Sequence, residues 1–148
     1  MTGVSVSVEL DTAAAAEALA RLTPDELDYI AYGAGQLIEN QTKERITTGK
    51  ASPDGVPWAP WSKAYGETRR PGQSLLLSEG HLLTSIKNYT QGDVAEVGTP
   101  LVQGAIHQFG GAGAGKPGLP ARPFLGLSEA DRREIDRLVI DTIGELLA

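Results

Sequence analysis

Two short blocks constrain this chain more than any other stretch: Ala105-Ile106-His107-Gln108-Phe109-Gly110-Gly111 and Pro120-Ala121-Arg122-Pro123-Phe124-Leu125-Gly126. Each combines an aromatic ring, aliphatic side chains and one strong hydrogen-bonding residue. The connector between them carries Gly113, Gly115, Pro117 and Gly118. Glycine admits almost any backbone geometry, and proline fixes φ and removes a donor, so the connector cannot hold a shape by itself. This layout predicts a flexible loop over 109–123 hung between two anchored ends. It does not suit a catalytic pocket.

A length of 148 residues predicts a single domain spanning 1–148. Only 5% of residues are aromatic against 41% hydrophobic, so the interior must rest on Leu, Ile, Val and Ala. The formal net charge of -6 argues against broad nucleic-acid binding, which needs clustered Lys and Arg. The charge is unevenly spread. Residues 1–40 hold seven acids and only Arg21 as a base, whereas residues 41–90 hold seven bases against four acids. Two such regions can meet head-to-tail between subunits or stand as two solvated faces. The absence of cysteine excludes disulfides and thiolate metal sites. No charged leader runs into an apolar segment, and no window nears the roughly 18 apolar residues of a membrane span, so a chain folded in a cytoplasm is expected. The glycosylation patterns at Asn40 and Asn88 then read as chance matches.

Val4, Val6, Val8 and Leu10 alternate with Ser5, Ser7 and Glu9, the period of a half-buried strand. Asp11 to Leu22 is alanine-rich and reads as a short helix capped by Asp11, completing an N-terminal unit over 1–23. Thr23-Pro24-Asp25-Glu26 restarts a helix with a capping box. Leu27, Ile30, Ala31, Ala34, Leu37, Ile38, Gln41 and Arg45 then share one face, predicting a helix to about Thr47, the longest element besides the last. Gly33 and Gly35 would let another backbone approach. A second flexible loop is expected over 48–73, with a turn at Pro53-Asp54-Gly55 and a mobile stretch at 66–72. Residues 75–83 read as a short helical segment. Ser85–Tyr89 and Val94–Gly98 read as a hairpin, with Ile86, Val94 and Val97 on one apolar side. Leu101–His107 reads as a short helix. The last helix is capped by Ser128 and Asp131 and carries a stripe of Ile135, Leu138, Val139, Thr142, Ile143 and Leu146. The whole predicts an α+β fold. Its small, mainly antiparallel sheet is covered by a long helix from the N-terminal half and a C-terminal helix, with long glycine- and proline-rich loops.

Candidate chemistry is thin. Gly110-Gly111-Ala112-Gly113-Ala114-Gly115-Lys116 has the outline of a phosphate-binding loop, but Pro117 follows where Ser or Thr and a helix are required. His81 and His107 lack metal-ligand spacing. Ser78 and His81 would share a helix face with no carboxylate to orient the imidazole. The acid pairs Asp25/Asp28 and Glu129/Asp131 sit at helix starts, where the helix dipole accounts for them. No catalytic, cofactor or metal residues are therefore assigned. Arg122, held by Pro123 beside Phe124, can close a loop within the subunit or bridge to another. Trp58 and Trp61 are too large to leave wet without reason and should pin their loop to the core or to a neighbour. The interface candidates are Trp58, Trp61, Arg69, Arg70, His107, Gln108, Phe109, Arg122 and Phe124.

Ser52-Pro53-Asp54-Gly55-x-Pro57-Trp58, Leu77-Ser78-x-Gly80-x-Leu82-x-x-Ser85-Ile86, Val97-Gly98-Thr99 and the two blocks above occur in one order. In this the chain resembles the phage virion morphogenesis proteins, the tail completion proteins of Mu-like tailed phages and prophages, over about residues 24–145. The family pattern has an aromatic residue ahead of the Ile-His-Gln block, where this chain has Gln103-Gly104. The resemblance implies a non-enzymatic role at the junction of head and tail, as a homo-oligomeric, hexameric ring. It implies head connector and tail-tube or tail-terminator proteins as partners, DNA that passes through without specific binding, and no membrane. The protein would be found in the host cytoplasm during assembly and in the neck of the mature virion. The competing readings are a small hydrolase-like enzyme using His107 or His81 and a nucleic-acid-binding module using the basic segment 41–90.

Overall fold

A computed structural model describes residues 3–9 and 16–148. The first strand, β1 (Val4–Glu9), keeps the expected alternation: its valines are half-buried while Ser5, Ser7 and Glu9 face solvent. It pairs antiparallel with β3 (Val94–Thr99) in the register Val4↔Thr99, Val6↔Val97 and Val8↔Ala95. β2 (Lys87–Asn88) joins the other side of β3, giving the order β1-β3-β2. The hairpin turns at Gln91-Gly92-Asp93 as expected, but Ala95 and not Val94 shares the buried face with Val97. Strand period two decides this, since Val97 and Val94 are three residues apart and must point to opposite faces. Leu10 and the proposed cap Asp11 lie outside the described residues. The helix read there is seen as α1 (Ala16–Leu19), which buries Leu19.

α2 (Pro24–Glu44) begins with the predicted capping box: Thr23 Oγ1 accepts from the Glu26 N–H at 3.2 Å, and Glu26 Oε1 accepts from the Thr23 N–H at 2.9 Å. Ile30, Ala31, Ala34 and Ile38 bury its inner face against the sheet. The helix widens into a π-helical turn over Arg45–Gly49 and stops at Lys50, whose φ is 52°. With 21 residues, α2 exceeds the 18 of the last helix, reversing the expected order of lengths. At Gly35 the close approach is by side chains: a Cβ would overlap Asn88 Oδ1 and Thr90 Oγ1. Asn88 Nδ2 in turn donates to the Tyr32 carbonyl at 3.0 Å and to Gln36 Oε1 at 3.3 Å, fastening the hairpin onto the helix.

α3 (Lys63–Glu67) is a short helix within the stretch expected as loop; Ser62 Oγ accepts from the Tyr65 N–H at its start. The helical segment expected over 75–83 is confined to α4 (His81–Ser85). Ser74–Leu77 instead forms a tight turn with Leu76 at φ 59°, so Ser78 and His81 share no helix face. α5 (Val102–Phe109) follows and ends at Gly110, whose φ of 86° suits glycine. α6 (Glu129–Leu146) is capped by Ser128 and Asp131 and packs Ile135, Val139 and Ile143 against α2. The α+β class and the antiparallel sheet stand as the sequence predicts. The core is aliphatic, built on Ile30, Ile38, Ile46, Ile86, Val97 and Val139, with Phe124 and Trp58 as its aromatic members.

Candidate functional site

The two aromatic blocks meet along α5. The Arg122 N–H donates to the His107 carbonyl at 2.6 Å. Gln108 then takes over: its Oε1 accepts from the N–H groups of Phe124 and Leu125, each at 3.0 Å, and its Nε2 donates to the Leu125 carbonyl at 3.0 Å. Trp58 Nε1 donates to the Pro123 carbonyl at 2.8 Å, and Arg45 Nη1 donates to the Phe124 carbonyl at 2.5 Å. Proline has no N–H, so every backbone polar group from Pro123 to Leu125 is satisfied by a side chain. An extended buried segment lacking a strand partner needs such an arrangement, because each unpaired amide or carbonyl would be costly. Arg45 Nη2 also reaches Asp131 Oδ2 at 2.9 Å, tying the start of α6 to the end of α2.

The Arg122 side chain turns the other way, donating from Nε to the Ala59 carbonyl at 2.7 Å and from Nη2 to the Pro60 carbonyl at 3.0 Å. The loops 48–73 and 109–123 are thereby stitched together. Between them lies a groove of about 710 Å³, walled by Trp61, Tyr65, Leu76, Leu77 and Leu119, with His107 and Arg122 at its floor. Trp61 and Tyr65 meet edge to face at 6.0 Å, and the Arg69 guanidinium lies 4.3 Å from the centre of the Tyr65 ring. Lys50 Nζ holds the opposite wall, donating to Ser74 Oγ and the Leu75 carbonyl, each at 2.8 Å, and to Ile46. Arg70 pairs with Glu79 at 3.3 Å in open solvent, a contact worth little.

The floor is electrostatically lopsided. Arg122 is only 5% exposed, and among the described residues no carboxylate pairs with it. Burial, and then the charge of Arg122, hold the His107 pKa below its ordinary value, so the imidazole stays neutral beside the guanidinium. His107 Nδ1 is buried without a partner. The glycine-rich connector closes on itself: the Gly111 N–H bonds the Leu119 carbonyl, and the Lys116 N–H bonds the Gly111 carbonyl. Among the described residues no His, Asp and Glu converge as a metal site, and no helix is long and apolar enough to cross a membrane.

The nine residues singled out from sequence thus fall into three groups. Trp58, Gln108, Arg122 and Phe124 are engaged inside their own subunit; for Arg122 this is the loop-closing role, made to carbonyls and not to a carboxylate. Trp61, Arg69 and His107 line the groove. Arg70 and Phe109 face solvent, Phe109 being 73% exposed. Sequence reasoning missed two cations, Arg45 and Lys50. Arg45 had a signal, a lone charged residue on a helix face otherwise made of aliphatic residues and Gln41.

A family model described as the phage virion morphogenesis family matches residues 10–144. The chain belongs to that family. Within the phage virion morphogenesis family, the chain is 38% identical over 101 residues to a protein of Escherichia phage Mu named for capsid assembly, protein G, covering 62% of this chain and 64% of that one. It is 46% identical over 68 residues to the Mu-like prophage FluMu G protein 2 of Haemophilus influenzae, covering 45% of this chain and 49% of the relative. The matches thus span less than two thirds of either relative's length. No solved structure matches the chain.

Proposed function

We propose that this chain is a structural, non-enzymatic protein of phage particle assembly that completes the tail and joins it to the head. In this reading it forms a homo-oligomeric, hexameric ring between the head connector and the tail-tube or tail-terminator protein. It assembles in the host cytoplasm and remains in the neck of the virion. The observation that carries the reading is the family match over residues 10–144, which takes in both motif blocks and both loops of the groove. The motifs themselves support a scaffold, since Trp58, Gln108 and Arg122 bind backbone within the subunit and position no reacting group. A net charge of -6 suits a ring through which DNA passes without adhering.

Deleting the coding sequence from the phage or prophage that carries it should yield separate DNA-filled heads and free tails in electron micrographs. Supplying the chain in trans should restore joined particles. Unchanged particle morphology and infectivity after deletion would overturn the proposal.

A further inference from the structure

The outer face of α2 carries a feature that the fold does not use. Asp25, Asp28, Tyr29 and Tyr32 follow the spacing i, i+3, i+4, i+7 and so form one stripe, all of it exposed. Tyr29 is 64% and Tyr32 54% exposed, and among the described residues neither aspartate pairs with a cation. Exposed tyrosines are enriched at interfaces, and unpaired acids beside them call for a partner surface of opposite charge. The groove between the loops is its chemical complement. It offers apolar walls at Leu76, Leu77 and Leu119 and the cations Arg69 and Arg122, while its carboxylate, Glu79, is met by Arg70 at 3.3 Å. Arg122 uses Nε and Nη2 on Ala59 and Pro60, and Nη1 makes none of these bonds.

The two features sit at opposite ends of one rigid element. The stripe occupies the first turns of α2. The groove lies beyond its last turn, where Lys50 bonds Ser74 of the groove wall and the neighbouring Leu75 carbonyl. A helix of 21 residues spans about 30 Å, so no subunit can fill its own groove. We infer that the groove of each copy receives the acidic, tyrosine-bearing stripe of α2 from a second copy. Because stripe and groove are different surfaces, the contact is head-to-tail and repeats from copy to copy, as closure into a ring requires. This rests on the self-assembling role proposed above and names the surfaces that make it.

Sedimentation velocity of the purified full-length chain tests the contact. Two variants are needed: a stripe variant, Asp28→Lys with Tyr29→Ser and Tyr32→Ser, and a groove variant, Tyr65→Ser with Arg69→Glu. All five side chains are exposed or half-exposed, so both variants should keep the wild-type circular dichroism. Each alone should associate at least tenfold more weakly than wild type. Mixed in equal amounts they should recover a capped pair, because one copy keeps an intact groove and the other an intact stripe. That recovery also shows that both are folded. Variants that assemble like wild type, or a mixture that stays monomeric, would overturn the contact while leaving the assembly role standing. A wild-type chain that is monomeric at every concentration would overturn both.

Discussion

The side-chain amide of Gln108 and the backbone of Leu125 form a closed two-bond ring, one N–H accepted and one carbonyl donated to, each at 3.0 Å. Gln108 therefore acts as a one-residue strand: it supplies the donor and acceptor that a neighbouring strand would give, and its Oε1 also takes the Phe124 N–H. This is the physical content of a glutamine between His107 and Phe109 in a chain whose second block begins twelve residues later.

Gln108→Ala should lower stability by about 3 kcal/mol, since it strands two buried N–H groups and a carbonyl at about 1–3 kcal/mol each, with water relieving part of the loss. The urea midpoint should fall with an unchanged slope. Gln108→Glu keeps the acceptor and loses the donor, and should fall between the two. A Gln108→Ala midpoint equal to wild type would show that the block is not held by this residue.

Burial separates residues that look alike in the sequence. Phe124 is fully buried, and Phe124→Ala should cost about 3–5 kcal/mol, a large share of the ~5–15 kcal/mol that holds a domain together. Helical circular dichroism should then melt at a much lower temperature. Phe109→Ala, at a site 73% exposed, should stay within about 0.5 kcal/mol of wild type. Trp58→Phe should lie between, losing the bond to Pro123 but keeping most of the ring packing.

The sequence made some elements legible for reasons that are local. Thr23 with Glu26 and Ser128 with Asp131 cap their helices through neighbours three residues away, and the alternation in Val4–Glu9 needs only a strand with one buried face. The misread elements depend on distant groups. Leu75–Leu77 reads as helix by composition, yet Lys50, some twenty-five residues earlier, bonds Ser74 and Leu75 and stabilises a turn. The site was half legible: its motif residues were found, but their direction was not. Nothing in Pro-Ala-Arg-Pro-Phe-Leu tells whether Arg122 points to a neighbour or to Ala59 and Pro60, because the loop it meets is some sixty residues away.

Glycines within the helices should respond to alanine with opposite signs. A Cβ at Gly33 would meet Leu138 at 3.8 Å, an ordinary contact, and at Gly144 it would meet nothing within 4 Å. Each change should stabilise by about 0.5–1 kcal/mol through helix propensity. Gly35→Ala gains the same propensity but drives a methyl group into Asn88 and Thr90. Overpacking costs about 1–3 kcal/mol, so the clash outweighs the gain. Thermal melts of the three variants should show two rises and one fall. A stabilised Gly35→Ala would mean that the hairpin does not press on α2 as described.

Protonation of His107 gives a stability change with a defined sign. Its ordinary pKa is near 6.5 and its native value lies lower, through burial first and the charge of Arg122 second. Between the native value and 6.5 the unfolded chain binds more protons than the folded one, so stability rises with pH across that window. The contribution is fully present above pH 6.5 and is lost as pH falls through the lowered native value. Asp54, whose carboxyl is held below its ordinary 3.8 mainly by Ser52, acts below about pH 5, outside the range in which His107 is tested. His107→Asn removes the titrating group, so its urea midpoint should change less than that of wild type between pH 7.5 and 5. Parallel pH profiles for the two proteins would show that the imidazole beside Arg122 is not held neutral by the fold.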